Sequence, residues 1–315
     1  MTVRSLYEVA APAKLNLFLH VVGKRPDGYH LLESLFVLID WCDTLHFEVR
    51  DDAMLARHDL SAALPPDDLC LRAARALQAA SGTPQGADIS IDKQVPWGAG
   101  LGGGSSDAAS TLLALNRLWG LHWPRSRLLE IGLTLGADVP FFIGGHNAFV
   151  EGIGERLTPV TLPPQGFAVL KPAASIETKA LFGSDLLARS ARTAILESLI
   201  PIVRQNDDGM TAKIAIEEEI SVENLRFAAQ LAPGFGRNDL QAAAQAQCPE
   251  LVQAAGMLQQ QFGNSRMTGS GSAVFARADA AIEPDMPTNL PPAWVGRFSR
   301  SLAQHPLVGW AEDES

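Results

Sequence analysis

"VPWGAGLGGGSSDAAS" spans Val95 to Ser110. Gly98, Gly100, Gly102, Gly103 and Gly104 place five glycines in seven positions, and Ser105, Ser106 and Asp107 follow. Downstream, Ala108, Leu112, Leu115 and Trp119 fall on one face of a helix. Glycine backbone reaches φ > 0 and approaches a ligand with no Cβ in the way. The first turn of a helix offers unpaired N–H groups and the positive end of its dipole. The pair makes a cradle for an anion, of which phosphate is the usual one. A plain flexible turn is the bland alternative, but turns seldom need five glycines ending on a helix. No GK[ST] follows, so this is not a Walker A loop. Gly98, Gly100 and Gly103 satisfy G-x-G-x-x-G, yet Pro96 intervenes and no acidic strand end lies about 20 residues on, which a dinucleotide fold requires.

Upstream of the loop, "DISIDKQV" alternates as a strand, Ile89 and Ile91 against Ser90 and Asp92. "KLNLFLHVV" alternates too, with Leu15, Leu17, Leu19 and Val21 on one face and Lys14, Asn16, Phe18 and His20 on the other, which predicts a half-buried strand. "KRPDGYH" is a turn. "LLESLFVLID" and "TLHFEVR" predict a strand pair around "WCD", and residues 68–80 a helix with Leu69, Ala73 and Leu77 on its stripe. "RSRLLEIGLTLGA" and "PELVQAAGMLQQQF" predict further helices, "MTGSGSAVFARA" a glycine turn feeding a strand, and "EPDMPTNLPPAW" a loop. Alternating strands imply antiparallel pairing, hence α+β rather than a βαβ array.

The chain has 315 residues, 47% of them hydrophobic, enough for one large or two ordinary domains. A net charge of −10 argues against a nucleic-acid surface but leaves room for a few local cations around one small anion. Cys42, Cys70 and Cys248 are odd in number and far apart, which predicts reduced thiols rather than a disulfide framework or zinc site. No apolar leader or membrane-spanning run is present, so the expectation is a soluble cytoplasmic protein.

Taken in order, "PAKLNLFLHVVGKRPDGYHLLESLF", "VPWGAGLGGGSSDAA", "LGADVPFFIGG" and "MTGSGSAVF" closely resemble the GHMP kinase superfamily. "PAKLNL" with "DGYH" and "GADVPFF" narrows the resemblance to its diphosphocytidyl-polyol kinases, over residues 9–182 and again near 236–276. The resemblance implies a two-domain α+β fold. A ribosomal-protein-S5-domain-2-like nucleotide domain would occupy residues 1–160, and a ferredoxin-like substrate-side domain 161–315. An insertion near 188–222 in the second domain is longer than the family pattern. The implied reaction moves the ATP γ-phosphoryl, with Mg2+, to the 2-hydroxyl of a diphosphocytidyl-methylerythritol, in non-mevalonate isoprenoid synthesis. Another GHMP kinase, of homoserine or mevalonate type, and a non-catalytic nucleotide-binding homologue are the alternatives.

Site residues follow from the same resemblance. Lys14 and Asp138 match the catalytic pair. Asp138 follows Gly-Ala and precedes Val-Pro, which reads as a loop or a helix terminus, and Lys14 shares a strand face with Asn16. Read without the resemblance, that lysine is an ordinary solvated one. ATP would meet Pro96, Gly98, Gly100, Leu101, Gly102, Gly103, Gly104, Ser105 and Ser106, with either serine available to the metal. Asp68 would lie near adenine, where the family often has an asparagine that can donate as an aspartate cannot. The acceptor would meet Asn16, Tyr29, His30, Phe182, Thr268 and Gly269, with Tyr29 as a stacking face for the cytosine. A core tyrosine, a core phenylalanine and a plain bulge are the structural alternatives for Tyr29, Phe182 and 268–271.

Overall fold

The computed structural model describes residues 3–190 and 236–313. Most of the expected insertion at 188–222 therefore lies outside the described residues. No described helix is long and apolar enough to cross a membrane.

Two long strands dominate: β1 (Ser5–Lys24) and β2 (His30–Arg50), antiparallel around the turn 25–29. The strand pair expected around "WCD" is instead one continuous β2. That stretch holds no Gly or Pro to stop it. Trp41 is buried with its Nε1 donating to Gln94 O at 2.9 Å, and Cys42 stays in register opposite Pro12. The second half of β2 pairs with β4 (Gly86–Asp92), and its first half with β5 (Ala148–Gly152). β3 (Leu55–Asp59) joins the β4 edge and β6 (Arg156–Pro159) the β5 edge. Pairing is antiparallel apart from β3 and β4, which are parallel. Between them runs α1 (Leu69–Ser81), so one βαβ crossover sits at the edge of the sheet, against the purely antiparallel expectation.

Helix α2 (Gly103–Leu118) follows the glycine loop. Not only its expected stripe but nearly its whole circumference is buried. It lies between α1 and the sheet, sharing one core with Ala73, Leu77, Leu45 and Phe47. Helices α3 (Arg125–Leu135) and α4 (Val139–Gly144) complete that layer.

A second, four-stranded antiparallel sheet has the order β10 (Val295–Arg300), β7 (Gly166–Lys171), β9 (Val274–Ala278), β8 (Arg266–Met267). Against it lie α5 (Thr178–Phe182), α6 (Gln241–Gln247) and α7 (Pro249–Phe262). Phe167, Val169 and Phe275 of this sheet pack on Leu15, Phe18, Val37 and Ile39 of β1 and β2. The expectation of a half-buried strand at Lys14–Val22 therefore fails: Lys14, Asn16, Phe18 and His20 are buried as fully as the leucines between them. A strand alternates when one face meets water, and here both faces are covered.

Candidate active site

The root of the glycine loop is fixed by charge. The Asp43 carboxylate on β2 accepts from the N–H groups of Gln94 (2.6 Å) and Val95 (2.8 Å). Lys93 Nζ donates to Asp43 and, at 2.7 Å, to Asp107 in the second turn of α2. All three side chains are buried. Burial pushes the Asp107 carboxyl well above the usual carboxylate range. Burial alone would lower Lys93, but the two facing carboxylates outweigh it and raise its pKa. Asp107 is thus a partner of Lys93 beneath the loop rather than a helix cap.

The loop then crosses β1 and a second glycine turn. Lys14 N–H donates to Leu101 O at 2.9 Å, and Ala273 N–H to Ala99 O at 3.1 Å. Gly100 has φ +74°, and a Cβ there would lie 2.4 Å from Thr268 O. Gly269 has φ +54°, and its Cβ would lie 2.8 Å from Gly100 O. Only glycine permits two backbones to nest this closely. Gly98–Gly104, Ser105 and Pro96 line a cavity of about 230 Å3, joined by Leu69, Lys93 and Trp97.

A second cleft of about 210 Å3 adjoins it, and Gly100 and Gly102 belong to both. Lys14, Asn16, Ser34, Asp138, Phe182 and Gly269 are among the residues lining it. Lys14 Nζ lies 2.6 Å from Asn16 Oδ1, 3.4 Å from Asp138 Oδ2 and 4.4 Å from the centre of the Phe36 ring. Its side chain is 4% exposed while that of Asp138 is 32% exposed, so the carboxylate keeps an open side toward the cleft. Asp138 stands at the N-cap of α4 yet makes no side-chain cap bond. It has a helix-terminus position, but its carboxylate is spent on Lys14. A cation and a carboxylate where two cavities meet can neutralise charge on a transferring phosphoryl group and align the attacking hydroxyl.

The other residues expected at the site divide. Asn16 joins the cleft, with its Nδ2 donating to Ser34 Oγ at 2.9 Å. Thr268 is fully buried and lines neither cavity; its hydroxyl accepts from Asn16 N–H at 2.9 Å, which makes it a joint between β1 and the turn. Asp68 caps α1 by accepting from Leu71 N–H (3.1 Å) and pairs with Arg57 Nη1 (2.7 Å). Its carboxylate is committed, and the neighbouring Leu69, not Asp68, reaches the glycine-loop cavity. His30 and Phe182 stack on each other, centroids 4.9 Å apart and planes 18° apart. They border a further open pocket with Lys24 and Arg189. Burial, then those two cations, lowers the His30 pKa and favours the neutral ring. Tyr29 is 61% exposed and lines none of these cavities. Ser106 is buried with no hydrogen-bond partner for its hydroxyl among the described residues, while Ser105 lines the cavity.

Ser34, Phe36, Lys93, Trp97 and Thr178 were not expected. A signal existed for Ser34, a lone hydroxyl within an apolar strand. Lys93 and Trp97 sit within four residues of Pro96 or Gly98, so proximity alone pointed at them. Nothing local marked Thr178.

Comparison with known proteins accords with this geometry. Residues 68–146 match the GHMP kinases N terminal domain and residues 217–283 the GHMP kinases C terminal domain. The chain is 59% identical over 315 residues to a 4-diphosphocytidyl-2-C-methyl-D-erythritol kinase of Methylibium petroleiphilum, covering 99% of this chain and 100% of the relative. It is 52% identical to the enzyme of the same name from Variovorax paradoxus, covering 98% and 99%. A crystal structure of 4-(cytidine 5'-diphospho)-2C-methyl-D-erythritol kinase superposes with TM-score 0.66 at 32% identity, over 86% of this chain and 90% of that one. A homoserine kinase from Cytophaga hutchinsonii shares the fold at 15% identity, TM-score 0.61, covering 97% and 96%. The two-sheet α+β architecture is the two-domain GHMP kinase fold, and the chain belongs to the 4-diphosphocytidyl-2-C-methyl-D-erythritol kinase family of the GHMP kinases.

Proposed function

We propose that this kinase transfers the γ-phosphoryl group of ATP to the 2-hydroxyl of 4-diphosphocytidyl-2-C-methyl-D-erythritol. The observation that carries the reading is the Lys14–Asp138 pair at the junction of two cavities that share Gly100 and Gly102. ATP would lie along the glycine loop with its phosphates on the first turn of α2, and the polyol would enter the adjoining cleft. The cytosine would reach toward His30 and Phe182, whose ring faces offer a stacking surface. The boundary between nucleotide and acceptor sides would fall between β6 and β7, near residue 160.

Asp138 would hold the 2-hydroxyl and accept its proton, while Lys14, 3.4 Å from that carboxylate, would balance the charge developing on the phosphoryl group. Asn16, bonded to Lys14, fixes that ammonium in place. Mg2+ fits this site. Ser105 lines the phosphate cavity, and Ser106 carries a buried hydroxyl with no partner among the described residues. Either could complete a shell supplied mainly by phosphate oxygens, and the ion would neutralise phosphate charge.

ADP release with the diphosphocytidyl polyol, homoserine and mevalonate as competing acceptors tests the assignment. Turnover with the first alone is expected. Turnover with either of the others at a comparable kcat/KM would reassign the acceptor.

A further inference from the structure

The stretch "RNDLQ" (Arg237–Gln241) carries no part of the chemistry described so far. Its first three residues run beside β1. Leu19 N–H donates to Arg237 O at 2.9 Å, Asp239 N–H donates back to Leu19 O at 2.8 Å, and the two chains form a one-residue parallel bridge between Leu19 and Asn238. The flanking side chains lock this bridge. Asp239 Oδ2 accepts from Val21 N–H (2.9 Å) and from Ser190 Oγ (2.8 Å), and Arg237 Nε donates to Asp239 Oδ1 (2.8 Å).

Held from both sides, Asn238 turns its amide into the protein. It is 6% exposed. Nδ2 donates to Met267 O at 3.0 Å and to Gly269 O at 2.7 Å, while Oδ1 accepts from Leu240 N–H at 3.0 Å. Both hydrogens and the oxygen are used, and the three partners fix which end of the amide is which. One of these carbonyls ends β8 at Met267, and the other, Gly269 O, belongs to the glycine turn that nests against Gly100. From the opposite side Asn16 N–H holds the same turn through Thr268 Oγ1. Gly269 and Ser270 of that turn line the cleft together with Lys14 and Asp138.

We propose that Asn238 is a positioning residue for phosphoryl transfer. It sets the depth of the 268–271 turn over the junction of the two cavities, and so the placement of the group in flight. The proposal rests on the kinase reading above. Transfer is sensitive to placement: a displacement of about 1 Å can cost on the order of 10²-fold in rate. The root of the first glycine loop has its own hold in Asp43 and Lys93, so affinity for ATP should change less than turnover.

Asn238→Asp keeps the shape but turns a donor into an acceptor facing two carbonyls; Asn238→Ala removes the grip. The parent and both variants are compared for kcat, for KM of ATP and of the acceptor, for melting temperature, and for amide exchange of a peptide spanning 268–273. The expected result is a kcat lower by about 10- to 100-fold with KM for ATP within about twofold. Exchange should be faster in 268–273, and Asn238→Asp should be the worse of the two. Three results would overturn the proposal: kcat within about twofold of the parent, a loss confined to KM for ATP, or variants that do not fold. If the parent itself fails to phosphorylate the polyol, the substrate reading has failed. Unchanged exchange in 268–273 would then still count against Asn238 independently.

Discussion

The two cavities that meet at Gly100 are built in opposite ways. The cavity proposed for the nucleotide is lined by one contiguous run, Pro96 to Ser105, with Leu69, Lys93 and Val95 added. The cleft proposed for the acceptor is assembled from residues that arrive a few at a time from β1, β2, the start of α4, the end of β5, α5, Leu240 and the 268–271 turn. A backbone cradle recognises what every nucleoside triphosphate shares, its phosphates. A mosaic of side chains recognises what is particular to one acceptor. Within one fold, a contiguous backbone cradle can stay fixed while a dispersed set of side chains changes.

The sharpest way to break this comparison is Asp138→Asn, which removes a proton acceptor from the acceptor side and leaves the cradle intact. Turnover should fall by about 10²–10⁴-fold while the calorimetric affinity for ATP stays within about twofold. A variant keeping half its turnover would take Asp138 out of the chemistry.

The reverse experiment fills the cradle. A Cβ at Gly104 meets only Leu69 Cδ1, at 3.7 Å, whereas one at Gly103 would press on Val95 Cγ1 at 3.0 Å. Gly104→Val should therefore weaken ATP binding at least about tenfold with little change in melting temperature, because its methyls occupy phosphate space and not core. Gly103→Val should lower both. If Gly104→Val binds ATP normally, the phosphates do not lie on the first turn of α2.

Smaller effects separate the parts of the acceptor side. Phe182→Ala removes a face of the His30–Phe182 stack and should raise the acceptor KM by about 5- to 150-fold, the equivalent of ~1–3 kcal/mol for a stacked base, with KM for ATP unmoved. Tyr29→Ala should do less, since its ring stands outside the cleft. A larger loss from Tyr29→Ala than from Phe182→Ala in the same steady-state assay would mean that the turn 25–29 folds over the bound acceptor.

The mildest test lies away from both cavities. His305 is fully buried; burial, with the Arg125 charge adding to it, lowers its pKa to about 3. Its backbone N–H donates to Gly145 O, tying the C-terminal tail to the end of α4. In the unfolded chain this imidazole takes up a proton near pH 6.5. As pH falls from there toward 3, the unfolded state binds a proton that the folded state refuses, so stability is full above pH 6.5 and declines below it. The contribution of this one group amounts to about 2 kcal/mol lost by pH 5. Urea unfolding at pH 7 and pH 5 should show that loss in the parent and less of it in His305→Gln, with kcat at pH 7 little altered. Equal pH dependence in both proteins would assign the effect to other groups.

The glycine loop, α1, α2, α7 and the α+β class were all legible because each is written in a short, continuous stretch. Five glycines running into a helix, or a 3.6-residue stripe, depend on near neighbours only. The same locality misled at β2, where "WCD" looked like a break but Trp41 found a partner in Gln94. It misled again at β1, where alternation implied a wet face that the second sheet, the glycine loop and the 268–271 turn cover. Lys14 and Asp138 were named through resemblance, since a lysine on a strand and an aspartate before a helix carry no local mark of each other. Short stretches of the chain set which segments become helix or strand and where bare backbone meets a helix, because backbone conformation answers to residues a turn away. Packing between distant segments brings Lys14 Nζ to 3.4 Å from Asp138, spends Asp68 on Arg57, and sets Asn238 against the turn holding Gly269. Those contacts join residues far apart in the chain, and their distances are set by how sheets and helices pack, which no short window of sequence contains.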